Sequence, residues 1–125
     1  MKANRNQVGG LTRHFERYKK ENGEYVKFGN QDIDTEKTRL NYNLAEDKNQ
    51  LEFIKKRTSE IRCLNRKDVN VMCDWVVTLP EKIKTEEDQE KFFKETYNFL
   101  ENEYGKENVI SSFVHLDETT PHMHF

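Results

Sequence analysis

Apolar residues recur at helical spacing in three parts of the chain. In the first, which opens at Gly9-Gly10 and ends at Gly23, the apolar face is Leu11, His14, Phe15 and Tyr18. The second part extends from Asp47 to about Leu64, with a face of Leu51, Ile54, Thr58 and Ile61. The third starts at Thr85, a good helix cap before acidic residues, and ends at Gly105. The apolar stripe of this third part is predicted to pack in the core. It consists of Phe92, Phe93, Thr96, Tyr97, Leu100 and Tyr104.

Shorter apolar runs predict strands. Residues 39–44 form a weak strand, residues 71–79 the strongest one, and residues 109–114 a third that leads to His115. Pro121 prevents a helix, so a turn and a last strand follow. Residues 1–7 are too short and polar for a strand, and residues 30–34 are predicted as a loop. The elements predict an α+β fold, an antiparallel β-sheet with helices packed on one face.

The composition allows one small globular domain. The 125 residues, 34% hydrophobic and 35% charged, predict a single domain over residues 1–125. No apolar run reaches the length that a membrane span needs, so no membrane segment is predicted. Cys63 and Cys73 lack metal-site spacing and indicate reduced thiols, which favours a cytoplasmic location.

The net charge of −2 conceals two basic clusters. Residues 1–20 carry Lys2, Arg5, Arg13, Arg17, Lys19 and Lys20 against Glu16 alone. Residues 55–67 carry Lys55, Lys56, Arg57, Arg62, Arg66 and Lys67 against Glu60 alone. Such clusters either form a phosphate-binding face or are solvated helix surfaces, and charge alone does not decide between them.

Histidines are concentrated at the end of the sequence. His115, His122 and His124 are three of the four histidines in the chain. Because His122 and His124 are two residues apart, both imidazoles of an extended strand lie on the same face. The clustering predicts a site for a divalent transition metal. A zinc deaminase site is excluded, because no Cys-x-x-Cys accompanies the histidines.

The run His-x-Asp-Glu-x-x-Pro-His-x-His, from His115 to His124, resembles the motif of plasmid mobilisation relaxases of the Mob/Pre (plasmid recombination enzyme) type. These are HUH endonucleases, named for a histidine pair that flanks a hydrophobic residue, here Met123. The similarity extends through residues 9–17 (GGLTRHFER), 40–44 (LNYNL) and 66–68 (RKD). It implies a sheet with the histidine pair on a central strand. Because such domains have a strand before the glycine pair and continue past the histidines, we expect an incomplete domain with an open, apolar sheet edge at Phe125 and little or no activity.

The resemblance also implies a function. It is the metal-dependent nicking of single-stranded DNA at a plasmid origin of transfer, by transesterification through a covalent protein–DNA intermediate. His14 resembles the nucleophile, and Tyr42 is the alternative. Other mobilisation proteins are further expected partners. Three imidazoles favour Mn²⁺ as the cofactor, with Mg²⁺ or Zn²⁺ as alternatives.

Supporting roles follow from this chemistry. Glu118 or Asp117 would orient a ligand histidine or accept a proton, and both assignments stay open. Arg17 and Arg66 (or Arg62) would hold the phosphate through forked hydrogen bonds. The residues predicted to bind DNA are Arg13, Arg17, Lys19, Lys20, Arg62, Arg66 and Lys67.

Three other functions remain open at this point. A metal-dependent phosphodiesterase would use the same histidines with water as the nucleophile. A shortened, non-catalytic module would bind single-stranded or origin DNA without cutting it. A zinc-stabilised structural domain would need a fourth ligand.

Overall fold

The computed structural model describes residues 1–25 and 32–125. A four-stranded antiparallel sheet has the order β2 (Tyr42–Asn43), β5 (Phe113–His115), β6 (His122–His124) and β4 (Val76–Thr78). A two-stranded sheet pairs β1 (Lys2–Asn4) with β3 (Asn70–Cys73). The helices are α1 (Val8–Glu16), α2 (Gln50–Glu60) and α3 (Glu86–Tyr104). The predicted α+β class is confirmed.

The helices match their predicted positions, with earlier ends for the first two. Helix α1 ends at Glu16 and not at Gly23, because Arg17 adopts a left-handed conformation with φ of 53°. In α2, Ile54 is buried, whereas Leu51 and Ile61 of the predicted face are exposed. Helix α3 is capped by Thr85 and followed by Gly105 with φ of 88°, as predicted. Phe93 of its stripe is fully buried, whereas Tyr104 is half exposed.

The prediction that residues 1–7 form no strand is wrong. Strand β1 pairs with β3 and places Ala3 in the core, where it is buried against Met72 and Val8. The carbonyl of Met1 also accepts a hydrogen bond from the backbone N–H of Asp74, at 2.6 Å. Pairing with a neighbouring strand therefore compensates for the polar sequence of this segment.

The run 71–79 is two strands that belong to different sheets. The chain leaves β3 at Cys73 and enters β4 at Val76, so the break falls on Asp74 and Trp75. Asp74 is buried at this break, where its carboxylate contacts His124. An apolar run with one acidic residue inside it therefore spans the junction between the sheets.

Strand β6 lies in the middle of its sheet. It pairs with β4 on one side and with β5 on the other, and Phe125 exchanges two backbone hydrogen bonds with Trp75. The expected open sheet edge at Phe125 is therefore wrong, as is the absence of a strand before the glycine pair, and the expectation of little or no activity loses both of its structural reasons. The central position of the histidine pair is confirmed.

The two faces of the four-stranded sheet differ. Helix α3 covers one face, where Phe93 packs with Val114 and Met123. On the opposite face, Phe15 from the last turn of α1 stacks on His124 with ring centroids 4.5 Å apart. The histidines therefore lie between the sheet and the end of α1.

Two further points complete the fold. Asp32 to Asp34 lie outside any helix or strand, as predicted, while residues 30 and 31 of that predicted loop fall outside the described residues. In the part of the chain that the structure describes, no helix combines the length and apolarity that a membrane crossing requires.

Candidate metal centre and active site

The β5–β6 hairpin brings the three predicted ligands together. His115 on β5 pairs directly with His122 on β6, and His124 follows on the same face. One ring nitrogen from each histidine lies within 4.8 Å of the others. His115 is fully buried, whereas His122 and His124 are partly exposed. The cluster is therefore buried at His115 and open to solvent at His122 and His124.

Each imidazole has one nitrogen engaged outside the cluster. His115 Nε2 lies 2.8 Å from the Phe15 carbonyl, and His122 Nδ1 lies 2.8 Å from the Thr120 carbonyl. His124 Nδ1 lies 3.0 Å from a carboxylate oxygen of Asp74. Since these oxygens only accept hydrogen bonds, each of these nitrogens carries a proton, and in a neutral ring the lone pair then lies on the other nitrogen, toward the cluster. Metal-binding histidines are oriented in this way.

Two features of the cluster fit a cation. His115 Nδ1 is buried and has no hydrogen-bond partner, which is costly for a polar atom. The second is the carboxylate of Glu118, whose Oε2 lies 3.0 Å from His122 Nε2 at the edge of the cluster. A metal ion among the three histidines would give His115 Nδ1 a partner, and the carboxylate would offset part of the charge of the ion. The donor set of three imidazoles and a nearby carboxylate suits a first-row transition metal.

Burial and a nearby positive charge keep His115, the buried histidine of the cluster, neutral. Burial and the nearby charge of Arg17 lower the pKa of His115 to about 3, although the hydrogen bond with Phe15 acts in the opposite direction. A neutral imidazole is the form that binds metal. His115 is therefore a ligand that needs no deprotonation near neutral pH.

His14 faces the histidine cluster from the last turn of α1. Its ring centroid lies 6.4 Å from those of both His115 and His124. Burial, followed by the charge of Arg17, lowers its pKa. Arg17 Nη1 lies 3.5 Å from His14 Nε2. Because arginine only donates, the contact favours a lone pair on Nε2.

Arg17 and Asp117 connect α1 to the β5–β6 turn. Arg17 Nε and Nη2 donate to the two carboxylate oxygens of Asp117 at 2.9 and 3.0 Å. Nη2 also contacts Glu118 at 2.9 Å, and Nη1 donates to the His14 carbonyl at 2.8 Å. Burial would raise the pKa of Asp117, but hydrogen bonds from Arg17 and Thr38 outweigh it and lower that pKa to about 2. The pair is a buried, charged anchor.

These contacts correct one prediction and separate two residues whose roles were left open. Arg17 is only 5% exposed, and its guanidinium is occupied by protein acceptors, so it does not present a free fork to a DNA phosphate. Asp117 and Glu118 are also not interchangeable. Asp117 is directed to Arg17 and Thr38, whereas Glu118 is directed to His122.

The whole chain, residues 1–125, matches the family model described as plasmid recombination enzyme. The chain belongs to the plasmid recombination enzyme family. Plasmid recombination enzyme type 1 of Staphylococcus aureus is 38% identical over 94% of this chain, which corresponds to 30% of that protein. The plasmid recombination enzyme of Streptococcus agalactiae is 34% identical over 94% of this chain and 24% of that protein.

A solved member of the plasmid recombination enzyme family has the same fold. The MobM relaxase domain, bound to 22 nucleotides of plasmid pMV158 oriT DNA with a 3′-thiophosphate and to Mn, superposes with a TM-score of 0.81 at 31% identity. The match covers 99% of this chain and 65% of that one. The chain thus spans less than a third of the curated relatives named above and about two thirds of the solved relaxase domain.

Tyr42 lies on the face of the sheet opposite the histidines. It pairs with Val114 and packs in the core beneath α3. Its hydroxyl is buried without a hydrogen-bond partner, and burial, followed by the charge of Glu90, raises its pKa. These are properties of a packing residue, and they disfavour Tyr42 as the alternative nucleophile.

The residues predicted to bind DNA in the two basic clusters lie at opposite ends of α1, whereas Arg5 of the first cluster contacts the second. Gln50 at the start of α2 contacts Glu16, whereas Arg5, just before α1, donates to the carbonyls of Leu64 and Arg66. The two ends of α1 are about 14 Å apart, from a rise of about 1.5 Å per residue. The predicted site residues in the second cluster, Arg62, Arg66 and Lys67, are exposed, and the guanidinium of Arg66 pairs with Asp68.

The first cluster continues directly from the His14 end of α1. A tight hairpin follows Arg17, in which Lys19 pairs with Tyr25. Arg13 lies 5.5 Å from the ring of Tyr18, and the Lys19 ammonium lies 4.7 Å from the ring of Tyr25. Exposed cations next to aromatic rings are suited to single-stranded nucleic acid. The structure therefore separates Arg13, Lys19 and Lys20, near His14, from Arg62, Arg66 and Lys67, which lie away from it.

Sequence reasoning missed three groups around the centre. Asp74 holds His124, the carbonyl of Phe15 holds His115, and Thr38 donates to Asp117 at 2.7 Å. Only Asp74 left a signal, as the single acidic residue inside the apolar run 71–79. A backbone carbonyl and a distant threonine leave no pattern in a sequence.

Proposed function

We propose that this chain, as a single relaxase-like domain over residues 1–125, binds a divalent metal and single-stranded plasmid DNA in the cytoplasm and nicks the DNA at an origin of transfer. The supporting observation is the position of His14, whose ring centroid lies 6.4 Å from those of His115 and His124. A metal-bound phosphate and an attacking imidazole could meet in that gap. The Mn- and oriT-bound MobM relaxase domain supports the same substrate and metal.

Mn²⁺ is the proposed metal, because three imidazoles suit a transition metal better than Mg²⁺ and the similar MobM relaxase domain is Mn-bound, which favours Mn²⁺ over Zn²⁺. It would be held by His115 Nδ1, His122 Nε2 and His124 Nε2. When bound, it would act as a Lewis acid toward a phosphate oxygen. Asp74 fixes the ring of His124, and Glu118 lies beside His122 to orient it.

The proposed reaction is a transesterification at one phosphodiester. The lone pair of His14 Nε2, which faces Arg17 Nη1 before the reaction, forms a bond to phosphorus, and one phosphorus–oxygen ester bond breaks. The leaving oxygen takes up a proton from water, and Nδ1 of the phosphorylated imidazole releases its proton to solvent, so protons and charge balance. His14 is suited to this step because its lowered pKa leaves the lone pair free of a proton. Arg17 positions both His14 and Glu118 through its buried contacts, and does not bind the phosphate.

A denaturing gel separates this reaction from its competitors. The chain is incubated with single-stranded origin oligonucleotides and Mn²⁺, and the products are resolved. A protein–DNA adduct supports the relaxase. Free cleavage without an adduct would indicate a phosphodiesterase with a water nucleophile. Intact DNA on the denaturing gel, together with a shifted complex on a native gel, would indicate a binding module. A metal requirement for folding without DNA binding would indicate a structural zinc domain.

The metal site makes a first prediction. We expect His122→Ala to weaken Mn²⁺ binding by at least tenfold, because it removes one of three ligands, and Asp74→Asn to weaken it by about 10–100-fold through misorientation of His124. His14→Ala should bind Mn²⁺ like the wild type, since His14 is not a ligand. Isothermal titration calorimetry measures all four affinities. Equal affinities for wild type and His122→Ala would exclude the site.

Because the basic clusters are separated, we expect them to contribute differently to the salt dependence of DNA binding. Lys19→Ala with Lys20→Ala should lower the slope of log affinity against log salt by about 1.4, since each lost phosphate contact on single-stranded DNA contributes about 0.7. Lys55→Ala with Lys56→Ala removes the same charge from α2 at the other end of α1, and should leave the slope close to the wild-type value. Fluorescence anisotropy over a salt series measures both. Equal changes in the two double variants would support a groove that joins both clusters.

A further inference from the structure

A cavity of about 220 Å³ lies beside the histidine centre, between the four-stranded sheet and the strand pair β1–β3. Phe15 and Met72 form part of its apolar floor, and His124 and Asp74 form the wall that it shares with the metal centre. Trp75 and Tyr104 also line it, and they are 47% and 44% exposed. We call it the Trp75 cavity.

The aromatic rings of this cavity are held in place. Trp75 exchanges two backbone hydrogen bonds with Phe125, at 2.8 and 2.9 Å. The rings of Trp75 and Tyr104 lie 6.3 Å apart with an interplanar angle of 35°, and Tyr104 lies 6.2 Å from Phe125. A half-exposed indole on a fixed backbone loses little conformational entropy when a flat ring stacks on it.

The residues that line the cavity determine which chemical groups could bind there. The described residues that line the cavity include no lysine or arginine, and the one acidic side chain, Asp74, already contacts His124. A phosphate would therefore find no positive partner there. An uncharged, flat, aromatic group would find an apolar floor and exposed rings.

We propose that the Trp75 cavity binds the base of a nucleotide next to the phosphate that is held at the histidine centre. This inference rests on the proposed function, which brings single-stranded DNA to that centre. His124 belongs to the centre and lines the cavity together with Trp75, so a strand whose phosphate is at the centre lies beside the cavity. Stacking tolerates every base, so the cavity would hold the strand without reading its sequence.

The chain's single tryptophan provides a direct test. The emission of Trp75 is followed while the protein is titrated with a 20-nucleotide oligothymidylate in Mg²⁺, and fluorescein anisotropy of a labelled strand gives the affinity independently. A strand of the same length and charge made of abasic units is the comparison. We expect quenching by the oligothymidylate with the same midpoint as the anisotropy, and no quenching by the abasic strand.

Variants then separate stacking from other contacts. The ratio of the affinities for oligothymidylate and abasic strand should fall about tenfold in Trp75→Ala, because one stacked base is lost, and little in Trp75→Phe, which keeps a ring. Phe99→Ala is the matched control, since Phe99 is a 63% exposed aromatic of α3 that does not line the cavity. Its ratio should equal the wild-type ratio. Tyr104→Ala gives a second removal of a lining ring if Trp75→Ala does not fold.

The remaining outcomes contradict the inference. If DNA binds and forms an adduct while Trp75 emission and the affinity ratios stay unchanged, the cavity is not a base site and the proposed function stands. If Trp75 emission changes with protein concentration alone and sedimentation shows a dimer, the cavity belongs to a contact between two copies. If neither strand binds, the proposed function fails and this inference fails with it.

Discussion

Replacement of His14 by alanine should reduce formation of the protein–DNA adduct on the order of 10⁴-fold, because it removes the nucleophile itself. The imidazole faces the histidine centre, and burial, followed by the charge of Arg17, lowers its pKa, which favours the neutral ring that can attack phosphorus. A tyrosine would first have to lose a proton with an ordinary pKa of about 10. Mass spectrometry of the protein after single-turnover reaction with an origin oligonucleotide locates the adduct and its yield.

Tyr42→Phe is the control for this experiment. It removes a hydroxyl that is buried without a partner beneath α3, so adduct yield should be unchanged and stability equal or slightly higher. DNA affinity should also stay near the wild-type value in His14→Ala, since the lysines of the hairpin remain. An adduct that maps to Tyr42, or full activity of His14→Ala, would overturn the assignment of the nucleophile.

Replacement of Asp117 by alanine should destabilise the fold by about 3–5 kcal/mol, because it leaves the buried guanidinium of Arg17 without its main partner. Asp117 is 1% exposed and accepts from Arg17 and Thr38, two segments that are far apart in the sequence. Its loss should also release α1 from the β5–β6 turn, so metal affinity and adduct formation should both fall in the folded fraction. Urea denaturation measures the free energy of unfolding.

An exposed ion pair is the matched control. Arg66 and Asp68 have side chains that are 67% and 73% exposed, so Asp68→Ala should change the free energy of unfolding by less than about 1 kcal/mol. The double replacement Arg17→Met with Asp117→Leu should recover part of the lost stability, because no unpaired charge remains in the interior. Similar losses in the free energy of unfolding for Asp117→Ala and Asp68→Ala would contradict a stabilising role of the buried pair Arg17–Asp117.

The local patterns were sufficient for most of the secondary structure. Thr85 and Gly105 delimit α3 because a side-chain cap and a left-handed glycine act within a few residues of the helix ends. The metal ligands were predictable for a similar reason, since His122 and His124 need only the two-residue repeat of a strand to share a face.

The errors all involve contacts between distant segments. Strand β1 exists because β3 supplies its hydrogen bonds, and the run 71–79 breaks because its halves join different sheets. Local sequence carries no information on either pairing. The same holds for the end of α1, which stops at Arg17 where the side chain reaches Asp117, 100 residues further along the chain.

The family motif and the clustering of the three histidines proposed as ligands follow from the sequence by itself, because both depend on residue type and short spacing. His14 follows from the sequence only through the family resemblance of residues 9–17. Only the tertiary structure decided what the neighbouring residues do. Tyr42 lies on the face of the sheet opposite the histidines. Asp117 contacts Arg17, Glu118 contacts His122, and Asp74 contacts His124. These roles depend on which buried charges and lone pairs meet across the fold, and that is fixed by packing between strands and helices that are remote in sequence.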